Sequence, residues 1–302
     1  MAYADRPTGL SEFAKYGFSD LTGTIGKLDQ LVGLVGDAGR SAVAALALSL
    51  DPDQALNGLL DLAERDKAVL KKLLNKHDSA VRLCAILGAS KALSDFLRRQ
   101  PDALAVFEKV HSIDLGPDAY RKAISESVKP ILKEGFETQE AWNALRKAYR
   151  IELLKIAIFD LTSPDPEQVL PTVAAALADI AGGAIEAGLE VARAELSFTK
   201  DHGIFTAQEI AATRLTVMAM GKCGARELNY ISDVDVIYVA QSGDPEVENH
   251  RAVEVATKLA TRMMRAMDGT ASEPDLWQVD PNLRPEGKSG ALVRTLESHV
   301  AY

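Results

Sequence analysis

The sequence predicts an α+β protein: a helical region over residues 1–202, followed by a smaller unit over 203–302 in which strands alternate with helices. Two observations carry this. Up to about residue 200, apolar side chains recur at intervals of three and four, the period that lines one helix face. Beyond residue 203 the pattern breaks into short, β-branched runs, "RLTVMAM", "DVDVIYVA" and "LWQVD".

In chain order, "DPDQALNGLLDLAERDKAVLKKLL" opens on Asp51 and Pro52, a capping residue and then proline at the first turn. "DSAVRLCAILGAS" and "KALSDFLRRQPDALAVF" follow, with breaks expected at Gly88 and Pro101. "TQEAWNALRKAYRIELLKIAIFDLT" reads as one long helix with Trp142, Leu145, Tyr149 and Leu153 along a face. The next helix follows a Ser-Pro turn, with Pro171 expected to begin the helix proper. Gly182 and Gly183 in its middle predict a kink or a close helix contact. Between the second and third apolar runs, "NHRAVEVATKLATRMMRAMD" is helical. "LVRTLESHVAY" ends inside a helical pattern with no cap or turn, which predicts a truncated chain.

Composition narrows the function. With 302 residues there is length for about two domains. The net charge of −9 and the lack of a dense Lys/Arg cluster argue against nucleic acid as a partner. Two distant cysteines, Cys84 and Cys223, suit a reducing cytoplasm and no disulfide or zinc framework. The start carries no signal pattern, and "AVAALALSL" near the front is far short of a membrane span. A cytoplasmic location without membrane attachment is therefore expected.

The chemistry concentrates in "GKCGARELNYISDVDVIYVA". In a strand, residues two apart share a face, so Asp233 and Asp235 project together while Val234 and Val236 point into the core. Convergent carboxylates repel unless a cation lies between them, and hard oxygen donors favour Mg²⁺. A bare Asp-x-Asp more often marks an edge strand whose aspartates simply face water, and it is the context that shifts the balance. Gly221, Lys222 and Gly224 follow directly on a strand, so bare backbone N–H groups and one cation lie near the pair. Asp280, closing "LWQVD", is the candidate third carboxylate of a two-metal site that clamps displacement at phosphorus. The loop after it, "PNLRPEGKSG", offers Arg284 and Lys288 to phosphate oxygens, or is an ordinary surface loop. "GKS" at 287–289 is no P-loop, because position 282 holds Asn282 where that motif needs glycine. The five histidines show no ligand spacing, and Cys223 reads as a small apolar filler.

Those two blocks carry a resemblance. "GKCGARELNYISDVDVIYV" resembles the signature G-K-x-G-x-x-E-L-N-x-x-S-D-x-D of the glutamine synthetase adenylyltransferase/adenylyl-removing enzyme family, and "VDPNLRPEGKSGALV" resembles its second block. "ILGASKALSDFLRRQPDAL" and "LRKAYRIELLKIAIFDL" look like its upstream helical segments, so the resemblance runs from about residue 50 to the end. Cys223 and Ala225 depart from the commoner residues without removing a charge.

The resemblance implies a nucleotidyltransferase domain of the polymerase-β type over 203–302, incomplete at its C-terminus. It also implies the adenylyl-removing half of a longer enzyme that both removes and adds AMP. Carried over, Asp233, Asp235 and Asp280 bind Mg²⁺, Gly221, Lys222 and Ser232 contact the AMP or incoming phosphate, and Arg284 and Lys288 bind phosphate. The resemblance further implies ADP, ATP and inorganic phosphate as substrates or products. The partners implied are glutamine synthetase and a PII-type nitrogen-signalling protein. Two other readings stand beside this one: a nucleotidyltransferase acting on another protein or a small molecule, and an inactive helical module that docks a partner.

Overall fold

A computed structural model describes residues 10–198 and 204–302. The chain forms two compact units that do not follow chain order. One holds the described residues up to Ile113 with Leu154–Val169, and the other holds Asp114–Leu153 with Leu170–Tyr302. The stretch expected to be helical over 1–202 therefore contributes to both.

The first unit is helical. It contains α1 (Leu10–Lys15), α2 (Leu21–Val35), α3 (Asp37–Leu46), α4 (Pro52–Arg65), α5 (Lys67–Leu74), α6 (His77–Ala89) and α7 (Lys91–Arg99), then a 3₁₀ segment, Pro101–Glu108. Its core includes Leu31, Leu46, Leu56, Leu59 and Phe96, all buried. Asp51 caps α4 by accepting from the Gln54 N–H, with Pro52 in the first turn. The break expected at Gly88 falls instead at Ser90, whose hydroxyl accepts from the Leu93 N–H and starts α7. Gly88 lies inside α6 for a different reason: a Cβ there would meet the Asp51 carbonyl oxygen at 2.8 Å and the Ser49 Cβ at 2.9 Å.

The second unit carries α8 (Pro117–Val128), most of α9 (Thr138–Leu161) and of α10 (Pro166–Phe198), α11 (Ala207–Ala212), β1 (Thr213–Ala219), α12 (Gly221–Gly224), β2 (Val234–Ser242), α13 (Asn249–Asp268), β3 (Val279–Asp280), β4 (Val293–Arg294) and α14 (Leu296–Val300). α10 starts at Pro166 rather than at Pro171. Asp165 accepts from the Gln168 N–H there, and Pro171 is accommodated inside the helix. Gly183 gives α10 a close contact, with its missing Cβ facing the Tyr120 carbonyl oxygen of α8 at 3.1 Å. By length and composition α10 is apolar enough to cross a membrane. Here its Ala192 and Leu196 join Phe205, Ile210, Val255 and Leu259 in the core.

β2 is the central strand of a small mixed sheet. It pairs antiparallel with β1, from Thr213↔Ser242 to Ala219↔Val236. Its other edge pairs in parallel with β3 (Asp235↔Asp280) and then with β4 (Tyr238↔Val293). The third strand is thus split in two, and residues 281–292 form an excursion between its pieces. The strand expected over 276–280 shrinks to two residues because the Leu276 N–H is still bound to the Met267 carbonyl at the end of α13. Along β2, Val234, Val236, Tyr238 and Ala240 are buried on the face that α13 covers, while Asp235, Ile237 and Val239 are half-buried on the other.

One buried cation organises this unit. Arg146 of α9 is fully buried and lies over the Trp142 ring. Its Nε donates to the Ala266 carbonyl at 3.0 Å, and its terminal nitrogens donate to the carbonyls of Glu273 at 2.9 Å and Gly269 at 2.7 Å. The last turn of a helix leaves carbonyls without partners, and a guanidinium satisfies several at once. Burial pulls its pKa below the usual arginine value. Arg150, one turn on, donates to the carbonyls of Pro274 and Asp275, which extends the clamp along the segment that leads into β3.

Replacing Arg146 by Ala strands these carbonyls, and each unsatisfied buried acceptor costs roughly 1–3 kcal/mol. The expected loss is on the order of 3 kcal/mol or more, read as a fall in the urea midpoint. Arg146→Lys recovers less than half, because an ammonium cannot reach the same set of acceptors. Gly88→Ala, which usually stabilises a helix by about 1 kcal/mol, is expected to destabilise here, because the new methyl meets backbone.

Candidate active site

Asp235 is the second residue of β2, on the face away from α13. Asp280 is its register partner on β3, and partners in a parallel ladder point to the same face, so the two carboxylates are neighbours. Asp233 lies one residue before the strand and is exposed. The Asp280 carboxylate accepts from the Asn282 N–H at 2.8 Å, which fixes one of its oxygens at the start of the excursion loop.

Opposite Asp235 stands the turn between β1 and β2. Gly221 has φ +52°, and a Cβ there would lie 2.8 Å from Asp235 Oδ2, so only glycine fits both the backbone and the space. The Met220 N–H donates to the Asp235 carbonyl at 2.8 Å, locking the turn to the strand. The turn ends by a pair of bonds: Arg226 N–H to the Cys223 carbonyl at 3.1 Å and Glu227 N–H to the Lys222 carbonyl at 2.8 Å. This is the Schellman arrangement, which places its C′ residue in the left-handed region. That residue is Arg226, at φ +59°, where glycine is usual and another side chain costs roughly 1–2 kcal/mol. Its guanidinium binds both oxygens of Asp179 on α10, at 3.2 and 2.7 Å, and Asp179 is itself buried. Sequence reading passed over Asp179, and its only signal was an acid inside an apolar helical run.

The remaining candidates are placed as follows. Lys222 is exposed in the turn, and the Ser232 hydroxyl donates to the Asp233 carbonyl at 3.1 Å. Arg284 folds back on its own loop, donating to the carbonyls of Pro281 at 2.8 Å, Gly290 at 3.2 Å and Lys288 at 3.4 Å. In this geometry it shapes the excursion, while Lys288 stays exposed at its rim. Gly287–Ser289 is a short 3₁₀ turn that opens no helix. Cys223 is buried beside the turn, and burial pushes its thiol up to about 11.

Among the described residues no three His, Cys, Asp or Glu side chains are gathered closely enough to hold a metal ion as they stand. The donor set nevertheless suits a hard cation, since it offers carboxylate oxygens only, two of them paired across one ladder and the third two residues away in sequence. A groove of about 420 Å³ lies elsewhere, beside the outer edge of β1 and lined by Asp179, Gly182, Leu215, Val217, Cys223 and Arg226. Leu215 and Val217 belong to the helix-covered face of the sheet, so this groove is separate from the carboxylates.

Residues 80–302 match the family described as glutamate-ammonia ligase adenylyltransferase. The chain belongs to that family. It is 42% identical, over 97% of its length, to the bifunctional glutamine synthetase adenylyltransferase/adenylyl-removing enzyme of Leifsonia xyli subsp. xyli, covering 29% of that protein. The proteins of the same description from Cutibacterium acnes and Streptomyces avermitilis are 41% and 37% identical over 83% and 98% of this chain. The chain covers 25% and 28% of those two, so it spans less than a third of the length of these curated relatives. The family match covers the whole Gly221–Asp235 segment and the 279–290 loop.

Gly221→Ala imposes both a strained φ and a clash with Asp235, and is expected to cost at least 1 kcal/mol in stability while displacing that carboxylate. Thermal unfolding and a crystal structure of the variant measure the two effects. Burial also pushes the Cys84 thiol up to about 12, so at pH 8 neither cysteine holds appreciable thiolate. Iodoacetamide is expected to leave both unmodified in the native protein and to label both in urea.

Proposed function

We propose that this chain carries a nucleotidyltransferase site that removes AMP from an adenylylated tyrosine of glutamine synthetase by Mg²⁺-dependent phosphorolysis, releasing ADP. The full enzyme also adds AMP from ATP. The observation that carries the reading is the pairing of Asp235 with Asp280 across one ladder, with the Gly221-Lys222 turn packed on the Asp235 carboxylate. Family membership supplies the substrate class, since the relatives are named for both adding and removing the adenylyl group.

In the proposed reaction an oxygen of inorganic phosphate forms a bond to the AMP phosphorus while the bond from phosphorus to the tyrosine oxygen breaks. ADP leaves, and the phenolate takes up a proton. Inorganic phosphate is already an anion and needs no general base. Asp233, Asp235 and Asp280 would hold Mg²⁺, which supplies charge neutralisation at phosphorus and at the leaving oxygen. Lys222 and the backbone of the Gly221 turn bind phosphate oxygens, with Ser232 beside them. Lys288 lends positive charge from the loop that Arg284 holds in shape.

The catalytic chemistry is assigned to residues 203–302, and the helical region 1–202 to support and to partner docking, including a PII-type signalling protein. A cytoplasmic location belongs to the same proposal, in keeping with two free, buried cysteines.

Incubation with adenylylated glutamine synthetase, Mg²⁺ and phosphate is expected to yield ADP. Asp233→Asn and Asp235→Asn are each expected to lower turnover by about 10³-fold or more, with the unfolding midpoint little changed. Full turnover in Asp235→Asn would overturn the assignment.

A further inference from the structure

We propose that Arg226 and Asp179 are positioning residues that hold the Gly221–Glu227 turn in the form that receives nucleotide phosphate, an inference that rests on the reading of the site given above. Four observations lead there. Arg226 occupies the left-handed end of the turn, a position that favours glycine, so its side chain is retained at a conformational cost. That side chain makes a two-point bond to Asp179. Asp179 is buried on α10 between the buried Ala178 and Ile180, which makes it a fixed anchor. The other end of the same turn presses Gly221 against the Asp235 carboxylate.

A continuous chain of contacts therefore runs from α10 through the ion pair and the turn to the carboxylate on β2. The bond from Glu227 N–H to the Lys222 carbonyl transmits the position of Arg226 to the backbone of Lys222. Freed of Asp179, the turn would lose its register with Asp235, and Lys222 would lose its fixed base. Neither residue of the pair touches the reacting atoms in this scheme.

Glycine at 226 separates two roles. It suits the left-handed backbone better than arginine, so a residue serving only the turn's shape would be improved by Arg226→Gly. The full chain is compared with Arg226→Gly, Arg226→Lys, Asp179→Asn and the Asp179→Asn/Arg226→Gly double variant. Hydrogen exchange of amides 221–227 and equilibrium binding of Mg·ADP are measured for each. Arg226→Gly and Asp179→Asn are each expected to speed exchange in this segment by about tenfold while leaving α13 unchanged. They are expected to weaken ADP binding by roughly five- to tenfold, with the double variant no worse than the weaker single, as for one shared interaction. Arg226→Lys should restore part of both signals. In the phosphorolysis assay the KM for phosphate is expected to rise more than kcat falls.

Arg226→Gly with native exchange and native ADP affinity overturns the proposal, as do single effects that simply add. Faster exchange with unchanged ADP affinity and phosphate KM overturns the positioning role and leaves only a structural clasp. A wild-type chain that binds no Mg·ADP defeats the reading of the site instead. That outcome is distinguishable, because the exchange measurement still decides whether the pair fixes the turn.

Discussion

The buried guanidinium of Arg146 is the constraint on which the carboxylate-bearing face of the sheet depends. A helix the length of α13 ends with a cluster of carbonyls, and here that end is closed by a side chain from another helix. The same group holds the Glu273 carbonyl, and so sets where the chain leaves α13 and how it approaches β3. β3 has only two residues in the ladder, too few to fix its own register by hydrogen bonding. Its register with β2 is inherited from the clamp before it and from the Asn282–Asp280 turn after it. A side chain on α9 thus helps to set which residue stands opposite Asp235.

The two sides of the sheet divide the labour. Val234, Val236, Tyr238 and Ala240, alternate residues of β2, are buried on the face that α13 covers. The opposite face stays open, and Asp235, Asp280 and the glycine turn gather there. Two carboxylates side by side on paired strands depart from the apolar residues usual at such positions. The left-handed Arg226 in the adjoining turn is a second departure from local preference.

Much of this was legible in the sequence. The helix α13 appears with the boundaries its pattern predicts, and Asp51 and Pro52 open α4 as their chemistry requires. β1 and β2 follow from β-branched runs, and the sharing of one sheet face by Asp235 and Asp280 follows from alternation and strand adjacency. Most of what escaped depended on partners distant in sequence. β4 is two residues long and is a strand only because β2 offers it an edge. Gly88 looks like a helix breaker until the Asp51 carbonyl is seen against it. Arg146 sits in a helical run like any surface cation, and nothing local tells that it is buried. Arg284 reads as a free phosphate ligand, but the carbonyls it binds come together only once the loop has folded.

The split third strand has a consequence for how such a protein can diversify. Residues 281–292 leave the sheet after Asp280 and rejoin it at Val293, so both footings are pinned to the same central strand. An insertion or a grafted sequence between those footings would change the loop that follows Asp280 while leaving the sheet undisturbed. The paired carboxylates thus stand on a fixed sheet, and the loop between the two footings can vary without remaking it.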